Sequence, residues 1–176
     1  MKALRVSLVT MVALAFSALP AMAQALGSWD TVILGATRFR VLSSFNNAAV
    51  LDRETGLVWE RSPSTERRPW SEARRFCVDR SVGSRNRKGW RLPTVQEILT
   101  LVDPTRDPPS LPAGHPFTNI QPDDYWSTTT FAENPDLAWA GGFENDTTEP
   151  GARFAGKTQL LFAWCVRTPL PGSDAQ

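Results

Sequence analysis

Gly89-Trp90-Arg91-Leu92-Pro93-Thr94-Val95-Gln96-Glu97-Ile98-Leu99 contains a complete helix start. Thr94 follows a proline and stands three residues before Glu97, the spacing of a capping box, in which each side chain satisfies the other residue's backbone N–H. Val95, Ile98, Leu99 and Val102 then recur as an apolar stripe, and Pro104 ends the helix. Arg91, set between the core-forming Trp90 and Leu92, is expected to tie this loop to a carboxylate in the fold. Upstream, Pro69 opens an earlier helix in which Trp70, Ala73, Phe76 and Cys77 repeat at three- and four-residue spacing. The face carrying Cys77 is therefore expected to be buried, and Glu72, Arg74, Arg75 and Asp79 to lie on the rest of the wheel.

Strands are expected on both sides of these two helices. Thr31 to Ala36 and Phe39 to Ser44 are β-prone, and Ala48 to Asp52 with Gly56 to Glu60 form a hairpin about Arg53-Glu54-Thr55-Gly56. From Pro104 to Asp124 six prolines interrupt any period (Pro104, Pro108, Pro109, Pro112, Pro116, Pro122), so a long ordered loop is expected there. Tyr125 to Thr130, Leu137 to Phe143, Arg153 to Gly156 and Leu160 to Arg167 read as further strands. This order, strands then two helices then strands, argues for an α+β domain.

The chain opens with Lys2 and Arg5, an apolar run from Val6 to Leu19 and then Pro20-Ala21-Met22-Ala23. This is the pattern of a secretory signal spanning residues 1–23, cut after Ala23. The apolar run is about 14 residues, short of the ~20 that a membrane span requires. A segment 24–46, a main domain 47–167 and a loose tail 168–176 follow. Export would carry the two cysteines, Cys77 and Cys165, into an oxidising periplasmic or secreted setting, where a disulfide is the favoured reading. The alternative, a redox or metal pair, lacks a C-x-x-C motif and has one histidine to draw on.

Gly56-Leu57-Val58-Trp59-Glu60, Trp70 with Cys77, the Gly89 to Thr94 motif, Tyr125-Trp126-Ser127 and Trp164-Cys165-Val166-Arg167 occur in an order that resembles the DUF1566 family, also called the Lcl C-terminal domain family. That family is similar to the C-type-lectin and sulfatase-modifying-factor folds. The resemblance implies a C-type-lectin-like fold, with two helices on small antiparallel sheets, a long Pro-rich loop, and the first helix tethered by a disulfide to the last strand. Cys77 and Cys165 occupy those positions. With both cysteines so used, the cysteine chemistry of the sulfatase-modifying relatives does not carry over.

Charge is uneven along the chain. Between Arg61 and Arg91 ten basic residues face three acidic ones, a balance of +7, whereas from Leu92 onward four face eleven, a balance of −7. Arg74, Arg75, Arg85, Arg87 and Lys88 are the candidate ligand-binding residues, because clustered guanidinium groups suit sulfate, phosphate or carboxylate. The rival reading is a solvated face, or one neutralised by the acidic loop. That loop, Glu144, Asn145, Asp146 and Glu149, offers weak calcium candidates. Gln121-Pro122-Asp123 is spelled like a lectin sugar-binding triplet, but it precedes the expected core strand rather than following it. His115 is the one histidine, in the Pro-rich loop without a nucleophile motif, so no catalytic residues and no cofactor are expected. Asp123 and Asp124 are read as surface charge, and six of the seven tryptophans as core, with Trp29 exposed.

The expected function is a non-catalytic binding or adhesion module of the cell envelope, recognising anionic polysaccharide or a protein partner, with no nucleic acid and no membrane span. An envelope enzyme with its site in the Pro-rich loop, or a structural subunit of a surface assembly, is the alternative.

Overall fold

A computed structural model describes residues 35–83, 86–144 and 151–169. The expected signal peptide, Trp29, Arg85, Asn145, Asp146, Glu149 and most of the tail lie outside them. In chain order the elements are α1 (Gly35–Arg38), β1 (Phe39–Val41), a 3-10 turn (Ser43–Phe45), β2 (Ala49–Asp52), β3 (Val58–Glu60), α2 (Trp70–Asp79), α3 (Val95–Leu99), β4 (Asp124–Thr130), β5 (Leu137–Gly142), β6 (Ala152–Gly156) and β7 (Val166–Arg167). They form two antiparallel sheets, ordered β1-β2-β3-β7 and β4-β5-β6, an α+β architecture.

The hairpin forms as expected, with Val50 opposite Trp59 and Gly56 at φ 72° in its turn. Its corner is held by Asp52, which is fully buried and receives both the Nε (2.8 Å) and an Nη (2.7 Å) of Arg38. The same Arg38 donates to the carbonyl of Thr100 at the end of α3 (2.8 Å), so one buried guanidinium joins hairpin and helix. α3 starts on the expected capping box: the Glu97 amide donates to Thr94 Oγ1 (3.2 Å) and the Thr94 amide to Glu97 Oε2 (2.8 Å). Arg91 grips the same carboxylate with two Nη groups, each at 2.7 Å.

Three strand expectations need correction. Residues 35 and 36 belong to the helical turn α1, and β1 stops at Val41. The chain then folds into a 3-10 turn because Leu42 and Phe45, three residues apart, both enter the core, which a flat strand with alternating faces would forbid. The third concerns Leu160 to Arg167, of which only Val166 and Arg167 join a ladder. Leu161 bridges Arg68, Phe162 bridges Tyr125 in the second sheet, and Val166 then pairs with β3 in the first. A segment that crosses between two sheets pairs briefly with each.

Two apolar clusters fill the interior. One joins α2 (Ala73, Cys77) to Leu42, Phe45, Trp90, Trp126 and the alanines of β5. The other gathers Trp59, Trp164, Tyr125, Phe143 and Ile98, with Trp59 and Trp164 edge to face at 5.3 Å. The Pro-rich loop is ordered, as expected, and sends Leu111 and Phe117 into this second cluster. Trp59, Trp90, Trp126 and Trp164 are core, but Trp70 and Trp139 are half-buried. Trp70 covers the first cluster from its edge and donates its indole N–H to the Ser127 carbonyl at 2.8 Å. Trp139 sits in an outer group with Phe131 and Phe154. Cys77 on α2 and Cys165 beside β7 form the disulfide, with Cα atoms 5.4 Å apart.

Candidate functional site

α2 buries Ala73 and Cys77 and turns Arg74, Arg75 and Val78 to solvent, the outcome of its three- and four-residue apolar spacing. Arg74 lies over the Trp70 ring at 4.7 Å, and Arg75 contacts no carboxylate among the described residues. At the far end of the helix Lys88 donates to the Asp79 carbonyl (3.1 Å), a cation placed where the helix dipole is negative. Arg87 lies over the Phe45 ring at 4.5 Å. The structure thus brings Arg74, Arg75, Arg87 and Lys88 to α2 and the loop after it.

The remaining cations of the basic stretch are engaged. Arg67 pairs with Asp123, Arg68 with Glu66, Arg80 with Glu60 and Arg91 with Glu97, while Arg61 donates to the Pro116 carbonyl at 3.0 Å. The free charge is narrower than the +7 balance between Arg61 and Arg91 implies. None of these pairs uses the acidic loop: Glu144, its one described member, pairs with Arg153 together with Asp124.

Beside this face opens a polar cleft of about 780 Å³. Its walls are the turn after the 3-10 element (Asn46, Asn47), the Ser62 to Glu66 segment, and Asn119 from the Pro-rich loop, with Glu60, Arg68, Phe76 and Arg80 also lining it. A second hollow of about 630 Å³ shares Arg68, Phe76 and Arg80 and adds Arg75, Glu72 and Asp79. Phe76 is the divide, with the guanidinium of Arg68 4.3 Å from its ring centre and that of Arg80 5.0 Å away.

Glu60 underlies this arrangement and is almost fully buried. Burial pushes its carboxyl above the ordinary glutamate range, opposed by the charge and hydrogen bond of Arg80 and by the Cys165 amide, which donates to Oε2 at 3.2 Å. None of this was legible in the sequence, because Glu60 and Arg80 are twenty residues apart and read as a strand end and a helix end. The one local signal was the Asn46-Asn47 pair, a residue type that tolerates the left-handed region.

The other singled-out residues have defined surroundings. His115 is half-buried and stacks on Phe117 at 5.9 Å, and burial lowers its pKa below the ordinary value. Asp123 and Asp124 part company: the first pairs with Arg67, while the second is buried under Arg153. Burial raises the carboxyl of Asp124, with Arg153 opposing. The Gln121 backbone N–H donates to the Tyr125 hydroxyl oxygen (2.8 Å), which places Gln121-Pro122-Asp123 against the core strand. Among the described residues no three His, Cys, Asp or Glu side chains converge as a metal site, and no helix is long and apolar enough to cross a membrane.

Together these features define a disulfide-linked α+β domain with two small antiparallel sheets and a basic helix face beside a polar cleft. Residues 48–167 match the model of the Lcl C-terminal domain, and the chain belongs to that family. No curated protein matches it.

Proposed function

We propose that this chain is an exported, non-catalytic binding or adhesion module of the cell envelope, periplasmic or secreted, which recognises anionic polysaccharide through the exposed face of α2 and the loop after it. The observation that carries this reading is the exposure of Arg74, Arg75 and Lys88, none of which contacts a carboxylate among the described residues. Four neighbouring cations, by contrast, are engaged in ion pairs, Arg80 among them through its Nε. Exposed cations on a helix face and the loop after it attract a polyanion at long range and release it as salt screens them. The positional logic of the disulfide, first long helix to last strand, supports a C-type-lectin-like fold for the domain.

The test is binding of the mature chain to immobilised heparin as salt is raised. The Arg74→Gln/Arg75→Gln/Lys88→Gln variant should elute at lower salt with unchanged thermal stability. Retention by that variant in about 0.5 M salt, where screening has shortened the field to a few ångströms, would reject the basic face as the binding surface.

A further inference from the structure

We infer that the cleft beside α2 holds one acidic sugar unit of the bound polymer, its carboxylate or sulfate on Arg80 and Arg75 and its hydroxyls on the amides of Asn46, Asn47 and Asn119. The inference rests on the proposed recognition of anionic polysaccharide and adds to it a site and a ligand chemistry.

Arg80 is built for such a role. Its Nε is spent on the buried Glu60, which fixes the plane of the guanidinium, and its side chain remains 38% exposed. Its terminal amino groups bond no protein group among the described residues, so a pair of donors is left over on a side chain that lines the cleft and the adjoining hollow. A planar fork held in this way matches an oxyanion with two hydrogen bonds, and less side-chain freedom is lost on binding. Arg75 reaches the same Phe76 divide from the adjoining hollow.

The second line of evidence is the asparagines. The non-glycine residues with positive φ among those described are Asn46 (54°), Asn47 (59°), Asn86 (48°) and Asn119 (57°), and three of them line this one cleft. Residues held in a sparsely populated region tend to gather where a surface must present particular groups. The side-chain amides of Asn46 and Asn47 are unbonded by the described protein and belong to exposed residues, while Asn119 Nδ2 donates to Ser62 Oγ at 2.9 Å and its side-chain Oδ1 is left for a ligand. Each amide offers donors and an acceptor, the complement of a vicinal diol.

The cleft also has features that disfavour a bare polyanion. An anion without hydroxyls would gain Arg80 but leave the asparagine amides that line the cleft unused. Among the described residues Phe76 is the one aromatic ring in the lining, and aliphatic side chains are few, which disfavours an apolar ligand.

The experiment uses the mature chain and four probes: oligogalacturonate for carboxylated sugar, a heparin oligosaccharide for sulfated sugar, polyphosphate for charge without sugar, and dextran for sugar without charge. Asn47→Gly/Asn119→Gly removes two amides while glycine keeps the positive φ, so the backbone is retained. Loss of these hydrogen bonds should weaken the better acidic oligosaccharide by about tenfold and leave polyphosphate binding unchanged. Titration of the unaltered protein should move the side-chain amide resonances of Asn46, Asn47 and Asn119 in an NMR spectrum. Should the double variant bind acidic oligosaccharide within about twofold of the parent and those resonances stay fixed, the cleft is not the site. The basic face would then stand alone if Arg74→Gln/Arg75→Gln/Lys88→Gln still weakened binding. Polyphosphate binding as tightly as both oligosaccharides would likewise overturn the assignment to a sugar.

Discussion

Glu60 and Cys165 are bonded to each other twice. The Glu60 amide donates to the Cys165 carbonyl (3.1 Å), and the Cys165 amide donates to the Glu60 carboxylate (3.2 Å). Trp164 adds its indole N–H to the Glu60 carbonyl at 2.8 Å. Because Cys165 is disulfide-linked to Cys77 and Glu60 is ion-paired to Arg80, α2 is fastened to the first sheet by one covalent and one ionic link, a single turn apart. The cleft side of Arg80 inherits its orientation from the core.

The covalent link should dominate stability. The bond closes 88 residues, and in the chain-entropy model this amounts to about 4 to 5 kcal/mol. Cys77→Ala/Cys165→Ala should therefore lower the urea-unfolding free energy by several kcal/mol, and reducing agent should do the same to the parent protein. Equal stability of the oxidised and reduced protein would contradict a structural bond.

The ionic link should show in mutation and in pH. Arg80→Gln strands a buried carboxylate and should cost about 3 kcal/mol, the low end for a broken buried pair because Arg80 reaches solvent. Glu60 has its pKa raised on folding, so its protonated form favours the native state. That contribution is complete below the ordinary glutamate value and is lost as pH rises through the raised one. Glu60→Gln should accordingly gain on the parent as pH goes from acidic to neutral, read from urea midpoints of both proteins. A variant that instead loses stability relative to the parent over the same range would reverse the sign and exclude the desolvated carboxyl as its source.

What could be read from the sequence was local. The Thr94 to Glu97 box, the helix opened by Pro69 and the hairpin turn at Gly56 each depend on residues within a few positions of one another, and each formed as expected. Arg91, between two core-forming residues, is expected to anchor its loop to a carboxylate, and it pairs with Glu97 six residues on. The cleft could not be read, since it assembles Asn46, Glu60, Phe76 and Asn119 from four separate segments. Nor could the end of the Leu160 to Arg167 run, whose pairing is cut short by a change of sheet that composition does not encode.

The start of α3 offers a test in which cap and ion pair separate. Thr94→Ala removes one half of the box and should cost about 1 kcal/mol. Arg91→Lys keeps the charge but loses the two-pronged grip on Glu97. Burial pushes Glu97 up, yet the bonds from Arg91 and Thr94 outweigh it and hold the carboxyl below the ordinary glutamate range. Its contribution is present above the ordinary value and lost as pH falls through the lowered one. Arg91→Lys should bring the Glu97 carboxyl resonance back towards the ordinary midpoint in an NMR titration, and an unmoved midpoint would show that Arg91 is not what lowers it.

Where Ile98 of α3 packs on Gly141 of β5, the contact depends on the absence of a side chain. A Cβ at Gly141 would run into the Ile98 side chain, chiefly its Cγ2, and Ile98 is itself fully buried. Gly141→Ala should thus force helix and strand apart and destabilise the protein by about 1 to 3 kcal/mol, the range for overpacking a filled core. Ile98→Leu moves the branch away from Cβ and removes Cγ2 while conserving volume, so alone it should cost under about 1.5 kcal/mol. Combined with Gly141→Ala it should restore part of the loss, because residues in contact do not contribute additively. Unfolding free energies of the two single variants and the double variant provide the cycle. A double variant whose loss equals the sum of the singles would mean that Gly141 is needed for something other than room for Ile98.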